Sequence, residues 1–404
     1  MVKIDDYAPI VGEGTVETIR NMAEIIKGER AVHVNATSYG GGVAEILSRT
    51  VPLARSLGID VTWQTLKGDM DFFTVTKKIH NALQGDLGVS ISTEELAMYL
   101  QVNAENAQLL DLDADVVVIH DPQPLPLVKH RGRGKWAWRC HIDTSAPNMA
   151  VWSMVEPMVN LYDLAVFSME RYIPKGLVVP SIIDYPTIDP LAPKNAPMKP
   201  DDVLKVLDRY GVDPDRPLIG QVARFDPWKN PLGAVDVFRK VKAAAPGVQL
   251  ALIGSFAKDD PEGAEWYEKV LRYAGRDKDI FVLSNLDGVG DLEVNAFQRA
   301  FSVALQLSNR EGFGLTVTEA LWKGVPVVAK RAGGIPLQVI DGTTGFLTEG
   351  TEEAAERVGL LLRRPWLARE LGERGRQHVR LNFLITKGLS NYLRMHIELV
   401  GKMG

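Results

Sequence analysis

Short apolar runs alternate with helical patterns along the first half of the chain. The runs predict strands at residues 31–36, 61–66, 115–119, 136–142, 164–167 and 177–179. Residues 115–119 are apolar at nearly every position, which is typical of a strand buried on both faces of a parallel sheet. A glycine-rich turn follows the first strand, and the pattern after it predicts a helix from Val43 to about Leu57.

The same alternation returns in the second half. It predicts strands at residues 218–222, 249–253, 280–283, 303–307 and 326–329, with helices at 231–244 and 262–274 among them. Alternating strand and helix signals indicate parallel sheets that carry helices on both faces. Prolines crowd the stretch from residue 180 to 202, a composition that suits a linker between domains. We therefore predict an α/β fold with two Rossmann-like parallel-sheet domains, residues 1–190 and 191–382, facing a cleft.

Composition narrows the class of protein. The chain has 404 residues, enough for two domains, with 46% hydrophobic and 24% charged residues. Its net charge of -5, without a long run of one sign, argues against a nucleic-acid-binding protein. The single cysteine, Cys140, cannot form an internal disulfide. No apolar stretch reaches the ~18 residues of a spanning helix, so we expect no membrane partner and a cytoplasmic location.

Ligands of open parallel sheets bind beyond the carboxyl ends of the strands. The strand at 218–222 is followed there by Arg224 and Lys229, two cations five residues apart. An arginine fork and a lysine ammonium on one loop can clamp a diphosphate. Read from this segment alone, the two cations fit a solvated surface equally well.

A second signal is the segment from Glu311 to Glu319, which contains Gly312, Phe313 and Gly314. The glycines let the backbone approach a ligand, and the amides at the start of the helix predicted from Leu315 suit a phosphate. Glu311 falls in the loop and Glu319 in that helix. The isolated glutamates are also what an ordinary helix surface would carry. Downstream, the pair at residues 333 and 334 predicts a turn.

Together these segments resemble the retaining glycosyltransferases of family four, which have the GT-B fold. The shared features are the R-x4-K loop in VARFDPWKNP, the E-x7-E motif around EGFGL, and the later GG and DG-x-x-G segments. The resemblance implies a nucleotide-sugar donor held mainly by the C-terminal domain. It also implies that the last helix, within residues 383–404, crosses back onto the N-terminal domain.

The resemblance assigns roles to particular residues. Arg224 and Lys229 would hold the diphosphate and stabilise its charge, and Glu311 would contact the donor sugar. Glu319 would hold the ribose. The remaining donor-binding candidates are backbone or base contacts at Gly312, Phe313, Gly314, Leu315, Thr316, Asn285 and Leu286.

The N-terminal half carries TSYGGGVAEIL, VVVIHDPQPLPL and KWAWRCHIDTSAPN, which look like the trehalose glycosyltransferring synthases and the trehalose phosphorylases of that family. The acceptor side would comprise Tyr39, Gly41, Gly42, His120, Asp121 and Asp143, with His141 as a catalytic residue. A structural histidine at a strand end is the alternative for both His120 and His141. The other histidines, His33, His80, His130, His378 and His396, are interpreted as surface or core residues.

No metal or cofactor is expected. Asp69 with Asp71, and Asp111 with Asp113, have the spacing of metal-binding carboxylates, but neither pair follows a convincing strand end. One cysteine and scattered histidines argue against zinc. The family is metal-independent, and the resemblance of this chain to it implies that Arg224 and Lys229 replace a metal beside the leaving diphosphate.

The implied reaction moves glucose from UDP-glucose or ADP-glucose to glucose, giving trehalose with retention, reversibly. The implied partners are these small molecules and, at the level of the family, a second copy in a homodimer. Three alternatives stay open: a trehalose phosphorylase, a sucrose- or mannose-transferring relative, and an inactive sugar-nucleotide sensor.

Overall fold

Two six-stranded parallel sheets organise the chain, one in each of two structural units. The computed structural model describes residues 2–38, 42–255 and 261–402, with the backbone alone for residues 261 and 262. The first unit comprises Met1–Thr187 and Ile385–Gly404, and the second comprises Ile188–Leu384. Both sheets confirm the prediction of two Rossmann-like parallel-sheet domains.

The first sheet has the strand order β2-β1-β3-β4-β5-β6, with every neighbouring pair parallel. Its strands are β1 Arg30–Asn35, β2 Asp60–Thr65, β3 Val116–His120, β4 Lys135–Cys140, β5 Leu164–Phe167 and β6 Ser181–Ile183. The helices before the last of these strands are α1 Ala8–Val11, α2 Glu13–Ile25, α3 Gly42–Ser56, α4 Met70–Leu83, α5 Thr93–Leu109 and α6 Met149–Val159. All five residues of β3 are buried, as the apolar run predicts for the four residues before His120.

One predicted strand of this sheet is wrong. Residues 177–179 are not a strand, and the sixth strand is Ser181–Ile183 instead. The side-chain oxygen of Asn160, which ends α6, accepts the backbone N–H groups of Val178 and Val179 at 3.1 and 3.3 Å. Those two donors are therefore engaged by a helix end, and pairing with β5 begins only at Ser181.

The second sheet has the order β12-β11-β10-β7-β8-β9. Its strands are β7 Leu218–Val222, β8 Gln249–Gly254, β9 Ile280–Ser284, β10 Val303–Gln306, β11 Val327–Lys330 and β12 Gly345–Thr348. Its helices are α7 Pro200–Arg209, α8 Pro231–Ala244, α9 Pro261–Ala274, α10 Asp291–Ala300, α11 Leu315–Trp322, α12 Ile335–Gln338, α13 Thr351–Arg363 and α14 Pro365–Asn382. The four-residue β12 is absent from the predicted strands, because a run that short and opening on glycine carries little periodicity.

Each sheet has a point at which the chain reverses its direction of travel across the strands. In the first unit this switch lies between β1 and β3, and in the second it lies between β7 and β10. The crevice beyond the carboxyl ends of the two strands at a switch point is where open α/β sheets bind ligands. The loops after β1, β3, β7 and β10 are thus the places where chemistry is expected.

The final helix, α15 Ile385–Leu399, belongs to the first unit and packs on α2 and α3. Its apolar face buries Leu389 and Leu393, while Tyr392 and His396 are buried as well. In the described part of the chain, no helix combines the length and the apolar character needed to cross a bilayer.

Candidate functional site

The loop after β7 presents two cations held by one aspartate. Asp226 accepts the backbone N–H of Lys229 through Oδ1 at 2.9 Å, and its Oδ2 lies 3.2 Å from Nη2 of Arg224. Gln221, on β7, donates to the carbonyl of Lys229 at 2.9 Å. The backbone of the loop is therefore fixed on both sides of Lys229, whereas the side chain of Arg224 is 69% exposed.

Lys229 contacts the loop after β10 directly. Its Nζ lies 2.7 Å from Oε1 and 2.7 Å from Oε2 of Glu311. Gln306 and Ser308, at the end of β10, each donate to Oε2 of the same carboxylate at 3.2 Å. The side chains of Lys229 and Glu311 are only 17% and 8% exposed, so this ion pair is largely buried. It lies at the switch point between β7 and β10.

The second glutamate of the motif, Glu319, is buried, with 1% of its surface exposed. Gln298 donates to its Oε2 at 3.3 Å, and Nζ of Lys194 lies 3.4 Å from its Oε1. Lys323 lies one turn after Glu319, at the end of α11, and its Nζ donates hydrogen bonds to the side-chain oxygens of Gln298 and Asn195. Burial lowers the pKa of Lys323 to about 7, although Glu319 acts to raise it.

A run of polar contacts connects the two glutamates. Thr316, in the first turn of α11, donates to Oε1 of Gln306 at 3.4 Å, and Gln306 donates to Glu311. The carbonyl of Thr316 accepts a bond of 3.4 Å from Gln298, which also donates to Glu319. The structure thus brings Lys229, Glu311, Thr316 and Glu319 into one connected polar network.

The loop that carries Glu311 rests on the two glycines after β11. A Cβ on Gly333, whose φ is 49°, would lie 1.5 Å from the carbonyl oxygen of Glu311. Gly334 donates its N–H to the carbonyl of Gly312 at 3.0 Å. The carbonyl of Phe313 accepts a 2.5 Å bond from Gln338. Gly333 and Gly334 therefore pack directly against the backbone of the loop that carries Glu311.

The start of α11 has the geometry of an anion-binding helix end. Gly314 is its N-cap, with a φ of 88° that a residue with a side chain rarely adopts. Leu315 and Thr316 follow as the first residues of the eight-residue helix. Their amides precede the first complete helical turn and point along the axis, which gives the end of the helix a partial positive charge.

Asn285 and Leu286 lie farther across the sheet. They belong to a single 3-10 turn, Asn285–Asp287, that follows the edge strand β9. Asp287 accepts the N–H and the hydroxyl of Ser284, which fixes the turn, and Leu286 is 59% exposed. An exposed apolar side chain on a fixed turn is a suitable surface for a flat base.

In the first unit the predicted acceptor loop is only partly described. Tyr39 and Gly41 lie outside the described residues, and Gly42 begins α3. Asp121, directly after β3, has a φ of 65°, an uncommon conformation for a residue with a side chain. Its Oδ1 accepts the backbone N–H of His141 at 2.7 Å. Burial raises the pKa of Asp121 to about 7.

His120 and His141 are joined to a histidine that the sequence left among the surface or core residues. Nε2 of His141 lies 2.9 Å from Nδ1 of His120, and Nε2 of His120 lies 2.9 Å from Nδ1 of His33. Burial lowers the pKa of all three, that of His33 to about 3. A polar residue between Val32 and Val34 in a buried strand was the available signal for His33. Asp143 accepts two bonds from Ser145 in a local turn.

Three of the four carboxylates considered for a metal have other partners. Asp69 caps α4 by accepting the N–H of Phe72 at 2.8 Å. Asp111 pairs with Arg30, and Asp113 pairs with Arg133. Within residues 2–38, 42–255 and 261–402, no group of three or more histidine, cysteine or acidic side chains is placed to hold a metal ion.

Comparison with known proteins identifies both halves of the chain. The family described as "Trehalose synthase, N-terminal domain" matches residues 33–174, and "Glycosyl transferases group 1" matches residues 205–378. The chain is 48% identical to the trehalose synthase of Pyrococcus horikoshii over 97% of its own length and 95% of that protein. It is 29% identical to the trehalose phosphorylase of Pleurotus pulmonarius over 85% of its length and 54% of that protein.

Among solved structures, an α,α-trehalose-phosphate synthase (UDP-forming) from Burkholderia vietnamiensis has a similar fold. The superposition covers 93% of this chain and 98% of that one with a TM-score of 0.73, at 18% identity. This likeness supports the two-sheet architecture and extends no further than the fold.

Proposed function

This chain belongs to the trehalose synthase family of GT-B glycosyltransferases, and on that premise we propose the donor, the acceptor and the stereochemistry of its reaction. The donor is UDP-glucose or ADP-glucose, and the acceptor is glucose. The bond from the anomeric carbon to the diphosphate breaks, and a bond to the anomeric oxygen of the acceptor forms on the same face. The acceptor's proton passes to the leaving diphosphate. The products are α,α-trehalose and a nucleoside diphosphate, and the reaction is reversible.

The observation that carries this proposal is the ion pair between Lys229 and Glu311 at the switch point of the second sheet. In the bound state Lys229 and Arg224 face the diphosphate, together with the amides of Gly314, Leu315 and Thr316. Glu311 then accepts hydroxyl groups of the donor sugar. These cations gain importance as the bond breaks, because negative charge builds on the leaving diphosphate.

The ribose lies on the same network, and the base lies beyond it. Glu319 accepts the ribose hydroxyls, beside the Lys194 ammonium that already neutralises it. The base lies against Asn285 and Leu286, with Gly312 and Phe313 shaping the backbone between the two regions. Because two cations and a helix start face the diphosphate, the reaction proceeds without a metal ion.

The acceptor glucose is assigned to the carboxyl edge of the first sheet. Asp121, His141 and Asp143 supply hydrogen-bonding groups there, directly after the adjacent strands β3 and β4. The strained backbone of Asp121 supports this assignment, because residues held in such conformations cluster at functional sites.

A trehalose phosphorylase is the second candidate, favoured by the 29% identity to such an enzyme. It would use inorganic phosphate in place of a nucleoside diphosphate and would have no ribose to bind. The near full-length match to a trehalose synthase and the buried carboxylate of Glu319 favour the nucleotide-dependent reaction.

One assay separates the candidates. Purified protein is incubated with glucose and UDP-glucose, ADP-glucose or GDP-glucose in the presence of EDTA, and a parallel tube holds trehalose and phosphate. Trehalose and a free diphosphate in the EDTA tubes are the expected result, and the rates rank the donors. Glucose-1-phosphate in the parallel tube, with no product in the others, would refute the proposed donor.

A further inference from the structure

Three buried histidines form a hydrogen-bonded row across the first sheet. They come from β1, from the end of β3 and from the residue after β4, three strands that are adjacent in the sheet. The ring centroids of His33 and His120 are 5.2 Å apart, and those of His120 and His141 are 5.3 Å apart. Each neighbouring pair is joined through ring nitrogens at 2.9 Å. The row leads from the middle of the sheet to its carboxyl edge.

The chemistry of imidazole couples the three rings. Burial keeps each ring neutral, and a neutral imidazole carries one N–H and one bare nitrogen. His120 uses both nitrogens in the row, so it must donate to one neighbour and accept from the other. Both hydrogen bonds therefore run in the same direction.

The protonation of Nδ1 in His33 consequently determines the outer end of the row. If that nitrogen carries the proton, Nδ1 of His141 carries one too and is a donor. If it is bare, Nδ1 of His141 is bare and is an acceptor. The tautomer of His33 therefore determines whether Nδ1 of His141 donates or accepts a hydrogen bond.

The surroundings hold the row in place. The ring of Tyr392, on α15, lies 5.1 Å from that of His33, and His396 follows at 6.1 Å from Tyr392. The charge of Arg139, which pairs with Asp184, disfavours a proton on any of the three histidines. The backbone of His141 is fixed by Asp121.

We propose that His33 and His120 are positioning residues that set the orientation and the tautomer of His141 for its contact with the sugar. This inference rests on the proposed function for the role of His141, but the coupling of the three rings can be measured without it. His33 does not reach the carboxyl edge, so its effect on the reaction passes through His120.

Two substitutions of His33 distinguish a hydrogen-bonded positioning role from simple packing. Asparagine carries its amide about where Nδ1 of histidine lies and can donate to, or accept from, His120. Leucine fills similar space and removes the contact. The control is His130→Leu, which changes an exposed histidine outside the site.

The experiment combines two readouts on the full chain. Spectra of protein labelled with ¹⁵N in its histidine rings report which nitrogen of each ring is protonated, and assays with saturating donor report kcat and the KM for glucose. For His33→Leu we expect shifted nitrogen signals of His120 and His141 and a kcat lowered by about tenfold or more, since misplaced groups cost that much. For His33→Asn we expect wild-type-like signals and at least a third of the wild-type kcat.

The outcomes are distinct. Unchanged signals of His141 and an unchanged kcat in folded His33→Leu would overturn the proposal, as would equal losses in the leucine and asparagine variants. If His33→Leu does not fold, His33→Gln replaces it, because its amide extends beyond the Nδ1 position. Wild-type protein that forms no trehalose would refute the proposed function, while the nitrogen signals would still decide whether the rings are coupled.

Discussion

Lys229 and Glu311 form an ion pair at the switch point between β7 and β10, with Nζ 2.7 Å from both carboxylate oxygens. Each residue also has a support of its own. The backbone of Lys229 is fixed by Asp226, and Glu311 accepts bonds from Gln306 and Ser308. A diphosphate carries more negative charge than one carboxylate, so it can attract Lys229 while Glu311 remains hydrogen-bonded.

The first prediction concerns Lys229→Ala. Removing the cation should lower kcat by about 10²- to 10³-fold, as the loss of a charge-stabilising group typically does. The free energy of unfolding should fall by only about 1–3 kcal/mol, because Glu311 keeps two hydrogen-bond donors. Turnover of the nucleotide-sugar and the melting temperature of the same sample test both statements.

Lys240→Ala is the matched control for this substitution. Lys240 pairs with Glu352, whose side chain is 78% exposed, on the surface of the same unit. Such pairs contribute little to stability. Because Lys240 is outside the proposed donor site, the turnover of Lys240→Ala should stay within about twofold of wild type. Near-normal turnover of Lys229→Ala would remove Lys229 from the donor site.

The second prediction concerns the glycine beneath the Glu311 loop. Gly333→Ala places a Cβ 1.5 Å from the carbonyl oxygen of Glu311, at a φ of 49°. The loop must move, so we expect a loss of roughly 3 kcal/mol in the free energy of unfolding together with a large loss of turnover. Gly247→Ala is the control, because its Cβ would meet no described atom within 4 Å. Equal stability of the two variants in urea unfolding would contradict the prediction.

The sequence alone predicts those helices and strands whose signals come from residues adjacent in the chain. Strand β3 is apolar at four of its five positions, and α8 begins at Pro231 behind the capping side chain of Asn230, so both follow from a few neighbouring residues. The position of β6 depends instead on Asn160, which engages the backbone of residues 178 and 179 from another element. No pattern within the segment itself records that contact.

The candidate site divides in the same way. The sequence predicts Arg224, Lys229, Glu311 and Glu319 as parts of one site, because the loops that follow parallel strands lie at the same edge of a sheet. Lys194 lies more than a hundred residues before its partner Glu319, and His33 lies 87 residues before His120. These partners meet only through tertiary packing, which the linear pattern does not encode.

The third prediction tests the proposed ribose contact of Glu319. Glu319→Gln keeps the shape and a hydrogen-bonding oxygen but removes the charge that Lys194 neutralises. Ribose is remote from the bond that breaks, so we expect a donor KM raised about tenfold with kcat within about threefold of wild type. Initial rates over a range of donor concentrations measure both constants. Glu352→Gln, on an exposed surface, is the control, and an unaltered donor KM in Glu319→Gln would exclude the contact.

The fourth prediction concerns the stability of the chain in acid. His396 is fully buried in α15, and neither of its ring nitrogens has a hydrogen-bond partner among the residues described. Burial lowers its pKa to about 4, although Glu29 and Asp115 act to raise it. The unfolded chain binds a proton at this histidine near pH 6.5, whereas the folded chain does not until about pH 4.

Because the folded pKa is depressed, the contribution of neutral His396 to stability is present above pH 6.5 and is lost as the pH falls toward 4. His396→Leu removes this titration. The stability of the variant relative to wild type should therefore rise by about 2–3 kcal/mol between pH 7 and pH 4.5, at 1.36 kcal/mol per unit of pH. Urea unfolding of both proteins at the two pH values measures the difference. A difference that is the same at both would show that His396 titrates alike in the folded and the unfolded chain.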